Sequence, residues 1–319
     1  MSLDYAQVWE RILSFKKIVI ITHQKPDGDA IGSALAMHHR LTRLGKKSYL
    51  FNLDASRIPL ELRFLRESQN FSDKVPANAD AWIFLDCANP ARTGAPWEEE
   101  RPWVLNIDHH ESNSRFGDVN IVDSSKVATG VVLASFLKAQ DRLNKPESEA
   151  IYAAILTDSN FFKNDRIDAE LFRLCGDLME SGVEPAKIND SLTRSEPLAK
   201  IRLLERILSR LALHHDATLA SSYLLEEDFQ SLGGGVHMLE GMADYPLSLS
   251  TVRMGIFAYE IAPKRFKVSL RSQAPHPCND IAAKLGGGGH PYAAGYISSH
   301  STLEKTLQEA LDLCKERLS

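Results

Sequence analysis

The chain has 319 residues, of which 44% are hydrophobic and 25% are charged, as in soluble globular proteins with room for two domains. Its net charge of −5 argues against stable binding to duplex DNA, which needs a basic surface, but leaves room for a short anionic ligand. No apolar run is long enough to span a bilayer, and no signal peptide is recognisable. We therefore expect a cytoplasmic protein without membrane contact.

The first part of the chain alternates predicted strands and helices. Strands are predicted over residues 18–22, 47–51, 81–85 and 103–107, and helices over 30–44, 129–140, 147–156 and 168–181. Gly45 is a plausible residue to end the first helix. Apolar strands interleaved with helices indicate an α/β fold, with a mostly parallel sheet covered by helices on both faces.

The second part has a different pattern. Residues 197–213 are apolar at helical spacing, and they are followed by predicted strands over 217–224, 251–259 and 266–271 and a closing helix over 303–317. This pattern predicts a smaller α/β domain with a mixed sheet. The expected boundaries are a first domain over 1–188, a linker over 189–199 and a second domain over 200–319.

Acidic and imidazole residues follow the predicted strands of the first domain. The set comprises His23, Asp27 and Asp29 in "THQKPDGDA", Asp86 at the end of "AWIFLD", and Asp108, His109 and His110 in "NIDHH"; Asp158 follows a predicted helix. Each motif alone has an ordinary alternative: Pro-Asp-Gly favours a turn, and Asp29 could N-cap the next helix. Two adjacent histidines after a buried strand have no evident packing purpose.

Taken together, these residues predict a metal site. Ligands of parallel sheets bind at the carboxyl ends of the strands, so we expect the carboxylates and imidazoles to meet at one edge. Buried carboxylates repel each other unless a cation lies between them. Mixed oxygen and nitrogen ligands suit two divalent cations that share a carboxylate, with Mn²⁺ favoured and Mg²⁺ or Co²⁺ also compatible. The absence of thiolates from the set disfavours structural zinc.

The second domain contains a glycine tract. The stretch "AAKLGGGGHPYAAGY" has four glycines, Gly286 to Gly289, followed by His290. A flexible loop is the ordinary alternative, but backbone N–H groups without side chains can also approach an anion closely. Arg271 ends the strand just upstream, and its guanidinium can donate two hydrogen bonds to a phosphate or carboxylate.

These motifs carry a resemblance to a known family. "HQKPDGDA", "FLDCAN", "DHH" and "TDS" in this order, with "GGGGH" near the C-terminus, resemble the DHH phosphoesterase superfamily over nearly the whole chain. Within it, the layout is similar to the nanoRNase group of bifunctional oligoribonucleases and pAp phosphatases. The resemblance implies a catalytic metal-binding first domain and a substrate-binding second domain.

The resemblance also implies a role for each matching residue. His23, Asp27 and Asp86 would hold one metal; the second would be held by Asp29, Asp86, His109 and Asp158, so that Asp86 bridges the two. Asp108 would orient a histidine, and His110 would act with Asp86 in catalysis by contacting the scissile phosphate. The implied substrate-binding residues are Arg271, Gly287, Gly288, Gly289 and His290.

The implied activity is hydrolysis of short single-stranded oligoribonucleotides to nucleoside monophosphates, and of pAp to AMP, by two-metal in-line attack. The alternatives on the same scaffold are an inorganic pyrophosphatase or exopolyphosphatase and a cyclic-dinucleotide or linear-dinucleotide phosphodiesterase. A nucleotide sensor without catalysis is disfavoured, because all the ligand positions are present. A homodimer is compatible with the sequence.

Overall fold

The computed structural model describes residues 3–97, 100–164, 166–194, 197–239 and 241–318. The chain forms two compact units, Met1–Ser195 and Glu196–Ser319. The division falls inside the stretch expected to be a linker. That stretch is largely helical, because the helices Pro185–Thr193 and Leu198–Ser209 occupy most of it.

The first unit is built on a parallel five-stranded sheet with strand order β2-β1-β3-β4-β5. Its strands are β1 (Lys17–Ile21), β2 (Lys47–Phe51), β3 (Ala81–Leu85), β4 (Trp103–Asp108) and β5 (Val119–Val122). The helices are α1 (Tyr5–Ser14), α2 (Gly28–Arg43), α3 (Thr129–Gln140), α4 (Lys145–Asp158), α5 (Ala169–Glu180) and α6 (Pro185–Thr193). The α/β class and the parallel sheet are thus confirmed.

The two faces of this sheet are covered differently. Alternate strand residues point to opposite faces, so Ile18 joins a core cluster with the α-helices whereas Val19 joins a second cluster. The second cluster includes Ala95 and Phe116 from segments between strands. The connection over 86–102 contains three prolines, which interrupt helices. In the part of the chain that the structure describes, connecting segments cover this face in place of the expected helical layer.

A buried ion pair joins α2, α3 and α4 of the first unit. Arg40 and Glu147 are both fully buried, and the guanidinium donates to the two carboxylate oxygens at 3.0 and 2.9 Å. Arg40 also donates to the carbonyl oxygen of Leu137 at the end of α3. Every partner is hydrogen-bonded, which offsets the cost of removing the two charges from water.

The second unit contains a mixed six-stranded sheet with strand order β10-β11-β9-β8-β7-β6. Its strands are β6 (Ala212–His214), β7 (Leu219–Leu224), β8 (Met254–Ala262), β9 (Arg265–Ser272), β10 (Gly288–His290) and β11 (Ala293–Ile297). Strands β7 and β8 are parallel, and the other neighbours are antiparallel. The predicted mixed sheet is confirmed.

Helices of the second unit pack on both faces of this sheet. They are α7 (Leu198–Ser209), α8 (Glu226–Leu232), α9 (Asn279–Lys284) and α10 (Leu303–Leu318). One core cluster contains residues of α9 and α10, and another contains residues of α7, α8 and the 3₁₀ helix Met242–Ser248. None of the described helices combines the length and the apolar character needed to cross a membrane.

Two of the differences from the predictions have clear physical reasons. The helix expected over 197–213 ends at Ser209, and Leu213 instead pairs with Ala220 in the sheet. Helix α6 was missed because it buries only Ile188 in the described core and begins at a proline, so its apolar pattern is weak.

Candidate metal centre

The predicted ligands meet where the strand order of the first unit reverses. From β1 the chain moves outward to β2, then returns to β3 on the other side of β1. Open parallel sheets bind ligands at such a point, outside the carboxyl ends of the strands. His23 follows β1, and Asp86 follows β3. The sheet topology thus explains why these two residues are neighbours.

The first ligand group consists of His23, Asp27 and Asp86. The Nδ1 of His23 lies 2.7 Å from the carbonyl oxygen of Gln24, so its Nε2 is the nitrogen directed at the carboxylates. This Nε2 lies 3.6 Å from Oδ2 of Asp27 and 3.3 Å from Oδ2 of Asp86. Asp27 also N-caps α2 by accepting a bond from Ala30 N, so the capping role considered for Asp29 belongs to Asp27.

The second ligand group consists of Asp29, His109 and Asp158. The ring of His109 is turned in the same manner: Nδ1 lies 3.2 Å from the carbonyl oxygen of Lys126, and Nε2 faces carboxylates. Nε2 lies 3.3 Å from Oδ2 of Asp158 and 3.9 Å from Oδ2 of Asp29. Both imidazoles therefore present one free nitrogen to an acidic pocket while a backbone carbonyl holds the other.

Asp86 lies between the two groups. Its Oδ2 faces His23, whereas its Oδ1 lies 3.7 Å from Nε2 of His109. The residue is 2% exposed and has a φ of 58°, in the left-handed region that aspartate tolerates better than most residues. This arrangement gives one carboxylate oxygen to each group, as a bridging ligand requires.

The electrostatics of the pocket favour a positive charge. Burial alone would lower the pKa of His23, but its bonds to Asp27 and Asp86 outweigh burial and raise the pKa from 6.5 to about 10. Burial and the neighbouring carboxylates raise the pKa of Asp29 well above its usual value. Burial likewise raises the pKa of Asp158 to about 6. The raised pKa values mean that the pocket takes up protons, which reduce the repulsion between its carboxylates. A bound cation would reduce the same repulsion.

Asp108 holds His110 in one orientation. Its Oδ1 lies 2.8 Å from Nδ1 of His110 and accepts a bond from His109 N, while its Oδ2 accepts a bond from Asn113. The bond to Asp108 raises the pKa of His110. Asp86, His109 and His110 form a third group of ligand atoms. Because Nδ1 of His110 is already bonded to Asp108, its Nε2 is the nitrogen left for another partner.

Small residues bring α4 against α2. A Cβ at Gly32 would collide with the carbonyl oxygen of Ala150, and a Cβ at Gly28 would collide with the Thr157 side chain. Helix α4 continues to Asp158, two residues beyond the predicted end. The close approach permitted by these glycines therefore places Asp158 beside Asp29.

The donor set fits divalent cations. The first ligand group pairs one imidazole nitrogen with two carboxylates, as does the second, and Asp86 offers its remaining oxygen to the latter. Neutral imidazole with carboxylate oxygens suits manganese and related cations. The carbonyl bonds to the second ring nitrogen of each histidine are the supporting contacts typical of metal-bound histidines.

Sequence reasoning missed several residues that support the ligands. Thr129 donates its hydroxyl to Asp86 Oδ1 and its backbone N–H to Asp29 Oδ2, at 3.0 and 2.6 Å. Gly130 N and the Ser33 hydroxyl donate to Asp29 Oδ1. The missed residues lie at the beginning of α3 or one turn along α2, and a Ser or Thr at such a place carries no distinctive pattern. The "VATG" start of α3, between the DHH and TDS motifs, was the only available signal.

The predicted substrate residues lie on the second unit. Arg271 Nε donates to Oδ1 of Asp244 at 2.5 Å, and Nη1 donates to the carbonyl oxygen of Leu270. His290 is exposed at the end of β10. The glycine tract is partly strand rather than a free loop.

The glycines of the tract are needed for different reasons. A Cβ at Gly287 would collide with Gly295 O, and Gly289 has a φ of 146°. A Cβ at Gly288 would meet nothing within 4 Å. The fold therefore requires glycine at 287 and 289, and only Gly288 of the three predicted residues leaves an open approach to its backbone.

Comparison with known proteins places the chain in a family. Residues 17–157 match the DHH family, N-terminal domain, and residues 224–319 match the DHHA1 domain. A curated relative from Thermus thermophilus, the bifunctional oligoribonuclease and PAP phosphatase NrnA, is 34% identical over 95% of this chain and 90% of its own length. The chain belongs to the DHH phosphoesterase family. Family membership agrees with the resemblance seen in the motifs.

Other relatives of this DHH-family chain extend along its whole length. The bifunctional oligoribonuclease and PAP phosphatase NrnA of Bacillus subtilis is 24% identical over 95% of this chain and 96% of its own length. The crystal structure of an exopolyphosphatase-related protein from Bacteroides fragilis has a TM-score of 0.85 at 24% identity. It covers 98% of this chain and 95% of that one, which shows the shared fold.

Proposed function

We propose that this DHH phosphoesterase hydrolyses short oligoribonucleotides to nucleoside monophosphates, and pAp to AMP, with two divalent cations. The observation that carries the proposal is Asp86, which directs one oxygen to His23 and the other to His109. The oligoribonuclease and PAP phosphatase relatives, which match nearly the full length of the chain, support the substrate class.

The proposed ligand assignment follows the two groups. One cation would be held by His23, Asp27 and Asp86; the other would be held by Asp29, Asp86, His109 and Asp158. Mn²⁺ is the favoured ion for these mixed nitrogen and oxygen ligands, with Mg²⁺ or Co²⁺ compatible. Bound cations would supply an activated water for in-line attack and would neutralise charge on the phosphoryl oxygens.

The chain's own residues would orient and protonate the substrate. His110 keeps Nε2 free because Asp108 holds its Nδ1, and its side chain is 35% exposed. In its protonated form this Nε2 could donate to a phosphoryl oxygen or protonate the leaving oxygen. Asp108 would keep the ring aligned and favour the protonated form, because its carboxylate accepts the Nδ1 hydrogen bond.

The second unit would bind a phosphate of the nucleotide. Arg271 retains N–H donors beyond those bonded to Asp244 and Leu270, and a planar guanidinium can grip a phosphate with two of them. Gly288 offers open backbone, and His290 is exposed. One arginine and one histidine suit a nucleotide phosphate better than a bare polyphosphate, which would call for many more cations.

The decisive experiment is a product assay. The full chain is incubated with Mn²⁺ and, separately, with a diribonucleotide, a long RNA, pAp and inorganic pyrophosphate. We expect nucleoside monophosphate from the diribonucleotide and AMP from pAp, with slow turnover of the other two. Asp86→Ala should bind less manganese and abolish both activities. Rapid release of orthophosphate from pyrophosphate, with no action on the dinucleotide, would replace the proposal by the pyrophosphatase alternative.

A further inference from the structure

The second unit has a partly exposed patch at one edge of its sheet, where Gly288 and His290 are exposed. The register aligns His290 with Ala293 across β10 and β11, and Ala293 with Arg271 across β11 and β9. Residues paired in this way point to the same face, so His290 and Arg271 flank Ala293 about two strand spacings, roughly 10 Å, apart. The neighbouring row is Gly288, Gly295 and Ser269.

Small residues therefore form the floor of this patch. Residues of the opposite face, such as Leu270, Ala294 and Tyr296, are buried in the core of the unit. The row positions of Gly288, Ala293 and Gly295 carry at most one methyl group, so a planar or phosphorylated ligand can rest directly on the backbone. We refer to Arg271, His290, Gly288, Ala293, Gly295 and Ser269 as the phosphate patch.

One acid contacts the guanidinium at the border of this patch. Asp244 lies on the 3₁₀ helix Met242–Ser248, whose Met242, Ala243 and Pro246 are buried and anchor it to the unit. Its carboxylate is 64% exposed and accepts the Nε hydrogen bond of Arg271. Together with the Leu270 carbonyl, this bond fixes the guanidinium at two points. Three of the five N–H donors of arginine remain for a ligand.

We propose that Asp244 sets the charge selectivity of the phosphate patch. It holds Arg271 in position while its negative charge cancels much of the guanidinium charge. A weakly charged nucleotide phosphate is then bound mainly by well-placed hydrogen bonds from the guanidinium. A highly charged inorganic polyphosphate gains little electrostatic attraction, and the Asp244 carboxylate repels it. This inference rests on the proposed role of Arg271 in substrate binding.

The variant Asp244→Asn separates the effect of the Asp244 charge from the effect of Asp244 on the position of Arg271. Its side-chain oxygen can still accept the Nε bond, so Asp244→Asn removes the charge and keeps the guanidinium in place. Removing the negative charge of Asp244 should strengthen binding about threefold for AMP and about tenfold for pyrophosphate, because the repulsion between Asp244 and the ligand grows with the ligand charge. Asp244→Ala releases the guanidinium as well, so AMP should bind more weakly to it than to Asp244→Asn.

The test is a double-mutant cycle measured by binding rather than turnover. Calorimetry with the Mn²⁺-loaded full chain gives the affinities for AMP and pyrophosphate of the wild type, Asp244→Asn, Arg271→Ala and the double variant. Asp244→Asn should change the affinity ratio only when Arg271 is present, because Arg271 holds the ligand within reach of the charge at residue 244. Asp280→Asn is the matched control: Asp280 pairs with Arg317 in the same unit and is half-exposed, and its change should leave the ratio alone.

Three results would overturn the inference. They are an equal gain for both ligands, the same gain without Arg271, or weaker binding of both ligands to Asp244→Asn. Because no step of this cycle measures hydrolysis, it separates the inference from the proposed activity. A chain that cleaves no dinucleotide but shows the predicted shift would refute the oligoribonuclease proposal and leave the selectivity of Asp244 standing.

Discussion

Nδ1 of His110 lies 2.8 Å from Oδ1 of Asp108, a carboxylate that is fully buried and is also bonded to Asn113. The bond fixes the ring of His110 and leaves Nε2 for another partner. Burial alone would raise the pKa of Asp108, but its bonds to His110 and Asn113 outweigh burial and lower it. The ionised form of Asp108 is therefore favoured, and its hydrogen bond raises the pKa of the His110 imidazole.

His110→Ala should lower kcat by about 10² to 10⁴ while both cations remain bound, because His110 would act on the substrate rather than as a ligand. Asp108→Asn should lower kcat less. It should also shift the pH dependence of kcat, because the imidazole of His110 loses its charged partner. Elemental analysis of the purified variants measures the metal content. Loss of one cation on His110→Ala would make His110 a ligand and contradict the assignment.

Thr129→Val should weaken Mn²⁺ binding or activity about 10- to 100-fold, because it removes the hydroxyl bond to Asp86 Oδ1 at nearly constant shape. The backbone bond from Thr129 to Asp29 is retained, so the fold should persist. Manganese affinity is measured by calorimetry. Thr193→Val, which alters a hydroxyl on α6 bonded to Asn189 O, is the control and should behave as the wild type. Unchanged metal affinity and activity in Thr129→Val would count against a supporting role.

Metal binding should release protons. His23 has a pKa of about 10 and is protonated at pH 7, so a cation must displace about one proton from it. Near pH 6 the proton release should be larger, because Asp158 has a pKa of about 6 and is partly protonated at that pH. Calorimetry in two non-coordinating buffers of different ionisation enthalpy counts the protons. Binding at pH 7 with no proton exchange would contradict the description of the site.

The same pKa values fix the sign of the pH effect on stability without metal. The raised pKa of His23 stabilises the fold fully below pH 6.5, and this contribution is lost as pH rises through about 10. The raised pKa of Asp158 gives a contribution to stability that is fully present below pH 3.8. This contribution is lost as pH rises through about 6. Stability of the metal-free chain should therefore fall over these windows, and Mn²⁺ should restore it, as read by chemical denaturation.

Gly288→Ala should keep the stability of the second unit, because a Cβ at this position meets nothing within 4 Å. It should weaken binding of AMP if the proposed phosphate contact at Gly288 is made, because the Cβ would block approach to the backbone. Gly287→Ala should instead destabilise the unit, since its Cβ collides with Gly295 O. Thermal unfolding and AMP titration separate the two effects. If Gly288→Ala binds AMP as well as the wild type, this part of the tract does not contact the ligand.

Glu147→Gln should lower the free energy of unfolding by about 3–5 kcal/mol, because it leaves the buried guanidinium of Arg40 without its charged partner. Denaturant titration of the full chain measures the change. Glu184→Gln, on a solvent-exposed pair with Lys187, is the control and should give no measurable change. Equal behaviour of the two variants would show that the buried pair is not needed for stability.

The sequence by itself determined many of the elements and the residue types of the candidate metal site. Strands β2 and β3 and helix α3 begin and end where predicted, because each is a clear apolar pattern bounded by residues that disfavour its continuation. The order of the acidic and histidine motifs, with the glycine tract, was enough to identify the family. Local patterns suffice for this purpose, because the spacing of apolar residues within one helix or strand shows which of its sides is buried.

Only the tertiary structure decided how the candidate ligands meet. Asp29 is bonded to Thr129 N, 100 positions along the chain, and Asp158 reaches it because α2 and α4 pack closely through glycines. The pairing of Arg271 with Asp244 likewise joins residues 27 positions apart on separate elements. Periodicity reports which side of an element is buried, but not which distant element packs against it. The direction of each imidazole nitrogen and the charge of the phosphate patch therefore follow from packing between elements.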